Sequence, residues 1–322
     1  MSLTSLPIFW FKLVAAAFRG DWKYFCFILI LLGLIAMGLQ SYTHHLTEGL
    51  IVTRMTDEVS WGIGIANFTF FVGIADAVVA LMVPAYIFRR EEVKDLVIIG
   101  LILSVAVIVM CLLFIMTDLG RPERVWHLVP FLIGGRLNLP SSLLAWDVVV
   151  FNGYLLLSFH IPSYLLYKRY KGETPSPAIY LPFIFASMIW AIVIHTVTAF
   201  LLSGLGSRAF WNSSILAPRF LISAFASGPA LLILLFSVLR KWTSLPVTDY
   251  VFDYMKSVIR IMMPINLFLL SCEVFKEFYT DTLHASSAYY LFFGLHGHNE
   301  LTRFIWTATA FNIAAAIVFL VP

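Results

Sequence analysis

The sequence predicts an all-α integral membrane protein, and three observations support this prediction. Of the 322 residues, 61% are hydrophobic and only 12% are charged, whereas soluble domains carry about 25% charged residues. The mean hydropathy is +0.91. Apolar runs of membrane-spanning length recur along the chain, and the polar connections between them are too short for a soluble domain. We therefore expect a single membrane domain over residues 1–322.

Eight apolar runs are long enough to cross a bilayer, since a spanning helix needs about 20 mainly apolar residues. They lie at 23–41, 60–88, 95–117, 142–167, 178–203, 217–240, 252–278 and 300–321. Residues 1–22 are predicted to form an amphipathic lead-in along the membrane surface. The last run reaches Pro322, so either the chain ends there or one or two further helices follow.

Basic residues alternate between the two ends of the predicted spans. One set of connections carries most of them: Lys12, Arg19, Lys23, Arg89, Arg90, Lys94, Lys168, Arg169, Lys171, Arg240 and Lys241. Because cytoplasmic loops are enriched in lysine and arginine, these connections are predicted to be cytoplasmic. The chain is then a multi-pass protein of the cytoplasmic membrane with its N-terminus in the cytoplasm.

Charge and cysteine content exclude several classes of function. The net charge of +3 is too small to indicate a nucleic-acid partner. Cys26, Cys111 and Cys272 are isolated within apolar runs, and the chain contains no C-x-x-C motif. The sequence therefore predicts no iron–sulfur cluster, structural zinc or c-type haem bound by this chain.

A charged stretch between two apolar runs, Asp118–His127, is the most polar segment near the predicted membrane. It holds two acids, two arginines and a histidine, and Gly120 and Pro122 break the preceding helix. Its position predicts that it lies at the outer bilayer surface and lines the mouth of a buried site. The alternative is an ordinary interfacial loop with Trp126 in the aromatic belt.

Polar side chains within the spans are costly, at roughly 2.5–3.5 kcal/mol for each ionisable group, so they often mark a site. With a rise of about 1.5 Å per residue, four of them fall within the outer third of the membrane: Asn67, Asp147, His195 and Glu273. Asp118 lies at the outer rim, and Asp76 and Arg260 lie deeper, towards the inner half.

Each of these residues also has a purely structural interpretation. His195 and Asn67 would hydrogen-bond facing helices, and Asp147 would form a salt bridge with Arg121 or Arg124. Glu273 would pair with Lys276 at a helix end. It is the common depth of the group that favours a functional site.

Several motifs resemble the polysulfide reductase NrfD-type family of quinone-interacting membrane subunits. The most specific is the stretch Asp118-Leu119-Gly120-Arg121-Pro122-Glu123-Arg124-Val125-Trp126-His127. It is followed by Ser142–Asp147 and Asn152-Gly153-Tyr154, and it is preceded by Asp57–Gly62 and Ala66-Asn67-Phe68. Ala217–Phe220, Ser223–Phe225 and Glu277–Thr280 look most like the DsrP-type subunit of the sulfite-reduction-associated Dsr complex, with hydrogenase HybB-type subunits a near second.

This resemblance implies a helical membrane subunit, usually of eight to ten spans, that binds no redox metal. It implies a menaquinone-type quinone bound near the outer face. It also implies a ferredoxin-like iron–sulfur subunit docked at that face, within a larger redox complex that includes cytochrome-containing subunits of anaerobic sulfur metabolism.

Quinol oxidation releases two electrons and two protons, so a carboxylate or histidine should accept the proton of each ring hydroxyl. Asp147 and His195 are the predicted pair, and Glu273 is predicted to be an outward proton exit. The remaining candidates are quinone-binding residues Asn67, Asp118, Arg121, Arg124, Trp146 and Asn152, and an inner proton path of Asp76 and Arg260.

Two other functions remain open from the sequence alone. A haem-b membrane anchor needs two histidines at matched depth, but His160 and His195 differ by about 15 Å in predicted depth. A secondary ion-coupled transporter would use Asp76, Asp147 and Glu273 as coupling carboxylates. Transporters favour glycine- or proline-broken helices, and Pro264 is the clearest interior break in this sequence.

Overall fold

The computed structural model describes residues 5–53, 55, 61–128, 137–208, 210–279 and 285–320. Over these residues the regular secondary structure is entirely helical, which confirms the predicted all-α class. The helices are α1 Ser5–Ala17, α2 Trp22–Glu48, α3 Ile63–Ala75, α4 Val79–Met82, α5 Glu91–Asp118, α6 Leu143–Tyr170, α7 Pro177–Ser203, α8 Leu216–Trp242, α9 Asp249–Tyr279, α10 Ser286–Phe293 and α11 Thr302–Leu320. A π-helical turn, Val83–Ile87, continues α4.

Within the described ranges, eight helical segments are long and apolar enough to cross a membrane, as predicted; α3, α4 and the π turn count as one segment. Most ends lie within a few residues of the predicted ones. The largest difference is in α2, which continues to Glu48 rather than residue 41. The predicted span ends at residue 41, where the sequence becomes polar with Gln40 and Ser41, but the helix continues beyond this point.

Local sequence signals explain where several spans begin. The Asp21 side chain caps α2 by accepting a hydrogen bond from the Tyr24 amide at 2.9 Å. Ser142 caps α6 in the same way through the Ala145 amide. Pro177 occupies the first position of α7, where its missing N–H is not needed. Glu91 and Glu92 place negative charge in the first turn of α5.

Five spans close into a ring. The segment α3–α4 packs on α5, then α5 on α6, α6 on α7 and α7 on α8, and α8 returns to α3. The core inside this ring includes Val72, Ile108, Phe151, Tyr154 and Ile194, all of which are buried. Outside the ring, α9 packs on α8, and α11 packs on α9.

The two N-terminal helices lie at the periphery. Phe9 of α1 is buried against Tyr167 and Tyr170 of α6, and the Lys12 ammonium donates to the Tyr170 hydroxyl at 3.0 Å. The spanning helix α2 has no buried residue, so its apolar surface faces outward along most of its length. The predicted lead-in thus contains a regular helix, and it packs on the end of α6.

The bundle has two distinct ends, which we name the Arg169 face and the Trp211 face. Ion pairs lie at the Arg169 face: Arg169–Asp95 and Arg240–Asp249 each join two helices, and Lys168–Glu173 joins α6 to the turn that follows it. The Lys168 hydrogen bond holds the pKa of the Glu173 carboxyl below its usual range. At the Trp211 face, Trp61 and Trp211 stack with their ring centroids 5.5 Å apart.

Candidate functional site

The span formed by α3 and α4 is interrupted at Asp76, inside the ring. Helix α3 ends at Ala75, and α4 begins at Val79. The Ser104 hydroxyl donates to the Ala75 carbonyl at 2.5 Å, so α5 satisfies a backbone group that the break releases. A Cβ atom on Gly228 of α8 would lie 2.9 Å from the Ala77 Cα, so only glycine permits this approach to the break.

A carboxylate and an imidazole meet at the interruption. The Asp76 Oδ2 atom lies 2.5 Å from the His195 Nδ1 atom, and both side chains are buried. His195 Nδ1 also lies 3.1 Å from the Ala191 carbonyl of its own helix. The other imidazole nitrogen, Nε2, is buried and has no hydrogen-bond partner among the described residues.

The contact joins His195 to Asp76, whereas the sequence predicts Asp147 as the second proton acceptor beside His195. Asp76, expected nearer the opposite half of the membrane, contacts His195 directly. Depths assigned from the rise per residue ignore helix tilt and side-chain reach, and they ignore the interruption that directs Asp76 into the ring.

Asp147 has a different partner. Its Oδ1 atom accepts a hydrogen bond from the Thr198 hydroxyl at 2.9 Å, and the carboxylate is 2% exposed. It therefore does not form the alternative salt bridge with Arg121 or Arg124; Arg121 instead lies 3.9 Å from Glu123. Thr198 follows His195 by one helical turn on α7, so Asp147 lies near the buried pair without touching it.

Further buried polar atoms continue inward from Asp76. The Tyr154 hydroxyl lies near the Asp76 carboxylate and the Ser104 and Ser187 hydroxyls, although it makes no hydrogen bond of ordinary geometry there. The hydroxyls of Ser158 and Ser187 are also buried without a partner in the described part of the chain. Buried polar side chains usually have hydrogen-bond partners, so these hydroxyls are exceptions within the bundle.

Two adjoining cavities lie between α3, α8, α9 and α11. The lower cavity has a volume of about 580 Å³ and reaches His195. The upper cavity has a volume of about 540 Å³ and reaches Trp61 and Trp211. The two share six lining residues, which mark the waist between them: Ala66, Thr69, Phe220, Ser223, Asn266 and Asn312.

An ion pair lines the upper cavity. The Arg219 guanidinium of α8 contacts the Glu273 carboxylate of α9, and Glu273 is 2% exposed whereas Arg219 is 27% exposed. The predicted alternative partner of Glu273, Lys276, instead pairs with Glu277 at 3.0 Å. A third cavity, of about 450 Å³, adjoins the upper one at Trp61, Phe210 and Trp211. It lies beneath α10 at the Trp211 face.

Four predicted quinone-binding residues lie away from the linings of these cavities. The Asn67 and Asn152 amides donate to carbonyls of their own helices, and the Trp146 indole donates to the Pro140 carbonyl. The Asp118 carboxylate accepts from the Ile65 amide, and a Cβ on Gly64 would lie 2.7 Å from it. Asp118 thus caps the first turn of α3 from the end of α5.

The two predicted quinone-binding arginines and the two residues of the predicted inner proton path also lie apart from one another. Arg121 and Arg124 are exposed at the Trp211 face. Arg260 donates from Nε to the Phe319 carbonyl at 2.8 Å, which ties α9 to the end of α11. Asp76 and Arg260 therefore have separate partners. His160 is exposed on α6 and packs on the Phe183 ring, with centroids 4.6 Å apart.

Among the residues that line the upper and lower cavities but were not predicted as site residues, Arg219, Asn266 and Asn312 carry a guanidinium or amide side chain. The sequence pattern places Arg219 among the loop cations, although it lies in the first turn of α8. Asn266 and Asn312 are polar residues within otherwise apolar spans, which is the same signal that identifies Asn67 and Asn152. Among the described residues, no three His, Cys, Asp or Glu side chains converge as a metal site.

Fold and site together define a polytopic helical membrane protein with cavities between its spans and a buried acid–histidine pair whose histidine lines one cavity. The chain belongs to the NrfD family: the family model, described as polysulphide reductase, NrfD, matches residues 51–321.

Three curated proteins are similar to this chain. The C subunit of selenate reductase from Mesobacillus selenatarsenatis is 25% identical over 233 residues, covering 62% of this chain and 53% of that protein. The Hdr-like menaquinol oxidoreductase integral membrane subunit of Archaeoglobus fulgidus is 22% identical over 296 residues, covering 92% and 70% respectively. The putative C membrane subunit of dimethyl sulfoxide reductase from Halobacterium salinarum is 24% identical over 226 residues, covering 66% and 51%. The chain thus spans about half the length of two of these relatives.

Proposed function

We propose that this chain is the quinone-binding membrane subunit of a respiratory redox complex. It exchanges electrons between a menaquinol-type pool and a partner iron–sulfur protein, with uptake or release of protons. The observation that carries the proposal is the pair of cavities that runs from the Trp211 face to the buried His195–Asp76 pair. Family membership and the menaquinol oxidoreductase named among the relatives support it.

The residues present fit a quinone. A substituted quinone ring is flat, and its two oxygens need hydrogen-bond partners. Each cavity has a volume in the range of about 300–1,000 Å³ that suits small ligands. Phe220, Trp61 and Trp211 supply aromatic surface, and His195 Nε2 is an unpartnered polar atom on a side chain that lines the lower cavity.

We assign the roles in proton transfer as follows. When bound, a quinol supplies two electrons and two protons. The His195 imidazole accepts a proton at Nε2, and the Asp76 carboxylate at Nδ1 stabilises the imidazolium that results. Asp147, whose carboxylate accepts a hydrogen bond from the Thr198 hydroxyl, is assigned as a second proton acceptor. The Arg219–Glu273 pair supplies compensated charge to the upper cavity.

We assign the partners by face. A ferredoxin-like iron–sulfur subunit would dock on the Trp211 face, where the upper and third cavities approach the surface. Cytochrome-containing subunits would complete the complex. Within the NrfD family, the motifs around Ala217 and Glu277 favour a DsrP-type subunit of sulfur metabolism. The direction of electron flow follows from the partner and not from this chain.

The test of function is quinone retention by the purified complex. Organic extraction should release a quinone in near-stoichiometric amount from the wild type. Ser223→Trp should abolish retention, because Ser223 lies at the waist and the indole would fill it. Ser237→Trp is the matched control, since Ser237 is exposed further along the same helix. A wild-type complex without quinone, or with quinone equally retained in both variants, would refute the proposal.

Topology gives a second prediction. If the Arg169 face is cytoplasmic, Lys171→Cys should react with a membrane-impermeant thiol reagent only in inverted vesicles. Gly206→Cys, at the Trp211 face, should react only in intact cells. Cys26 is exposed and is replaced by serine in both variants. Labelling of both positions from one side would contradict the assigned orientation.

One observation favours ion-coupled transport as a second candidate. The interruption at Asp76 places a carboxylate at a helix break inside the membrane, an arrangement that transporters use for coupling ions. Solute uptake driven by an ion gradient in liposomes that contain only this chain would support transport. Quinol oxidation by the complex without such uptake would support the redox function.

A further inference from the structure

Two amides meet at the waist between the upper and lower cavities. The Asn266 Nδ2 atom of α9 donates to the Asn312 Oδ1 atom of α11 at 3.2 Å. Both residues line both cavities, and Asn266 is 8% exposed. A ligand that extends from one cavity into the other must therefore pass these two side chains.

The pair has hydrogen-bonding capacity left over. Asn312 donates one N–H to the Ala308 carbonyl and accepts from Asn266, and Asn266 donates one N–H. Each amide carries two N–H groups, so one N–H on each side chain and the Asn266 carbonyl have no further partner in the described structure.

The other polar groups at the waist do not compete as donors. The Thr69 hydroxyl donates to the Ile65 carbonyl, and the Ser223 hydroxyl donates to the Phe220 carbonyl. Each hydroxyl has a single proton. The two amides therefore supply the only N–H or O–H groups still free among the described residues that line the waist. A ligand oxygen there would find its donors on Asn266 and Asn312.

We propose that Asn266 and Asn312 recognise a ring oxygen of the quinone. The free amide N–H groups donate to the oxygen while the ring lies beside Phe220, and the second ring oxygen is left to His195. This inference rests on the proposed function, to which it adds two residues that bind the quinone directly. The competing explanation is that the amides only join α9 to α11, as polar residues do between membrane helices.

The test compares kinetic constants for a short-chain naphthoquinol in the purified complex. Asn266→Leu and Asn312→Leu keep the approximate side-chain size and remove the donors. Loss of one such hydrogen bond corresponds to roughly a 3- to 10-fold change in an equilibrium constant. We expect KM to rise about that much in each single variant, and more in the double variant, with little change in kcat. Ser271→Leu, which is exposed on α9, is the matched control and should change neither constant.

The outcomes separate the alternatives. Unchanged KM in variants that have reduced thermal stability would overturn the inference and leave the amides as a helix–helix contact. A wild-type complex that neither retains quinone nor oxidises quinol would instead refute the proposed function. If the leucine variants fail to accumulate, Asn266→Ser and Asn312→Ser keep a polar side chain but withdraw the donor from the waist. Unchanged KM in those variants would likewise overturn the inference.

Discussion

His195→Gln is expected to lower the rate of quinol oxidation by about 10²–10⁴-fold, the usual contribution of one general base. Glutamine retains hydrogen-bonding groups near Asp76, but its amide does not accept a proton at neutral pH. Because His195 lines the lower cavity, and Asp76 is its buried partner at 2.5 Å, the loss should appear in kcat. The measurement is the steady-state oxidation of a naphthoquinol by the assembled complex, normalised to the amount of this chain in the complex.

Asp76→Asn should give a smaller loss of the same kind, since the amide still contacts His195 but no longer stabilises the imidazolium. His160→Gln is the control, because that imidazole is exposed on α6 and packs on the Phe183 ring, away from the linings of the upper and lower cavities. A purely structural role for His195 predicts the opposite pattern, with poor yield and near-normal turnover per assembled complex. Normal turnover in His195→Gln would remove this residue from the proton path.

The architecture followed from the sequence because it depends on averaged properties. Apolar runs of the required length define the spans, and short connections force neighbouring spans to be antiparallel. Even α2, which buries no residue in this chain, was predicted as a span from its hydropathy. The break at Asp76 was not predicted, since no glycine or proline lies there. It is stabilised by Ser104 and Gly228 from other helices.

The roles assigned to the site residues from the sequence stay predictions. Composition identifies polar residues in apolar runs, but it does not give their direction around each helix. Asn67 and Asn266 look alike in sequence, yet the structure places only Asn266 against both cavities. The Asp76–His195 contact joins residues far apart in the chain. Such a pairing depends on which helices are adjacent, a property that hydropathy does not encode.

Arg219→Met is expected to destabilise the folded protein by about 3–5 kcal/mol, the usual cost of leaving one member of a buried ion pair alone. Glu273, at 2% exposure, would lose its cation while it stays buried. The measurement is the midpoint of thermal unfolding in detergent, together with the yield of assembled complex. Arg240→Met on the same helix is the matched control, because the Arg240–Asp249 pair is exposed at 48% and 80%. An exposed pair contributes little.

The double variant Arg219→Met/Glu273→Leu decides what the ion pair does. Replacing both charges by apolar side chains removes the uncompensated carboxylate, so most of the lost stability should return. If the pair also supplies charge to the cavity, this restabilised variant should still bind quinol more weakly than the wild type, because Arg219 and Glu273 both line the upper cavity. Recovery of stability with unchanged KM would assign the pair to helix packing alone. A double variant no more stable than Arg219→Met would show that the buried charge of Glu273 is not the source of the instability.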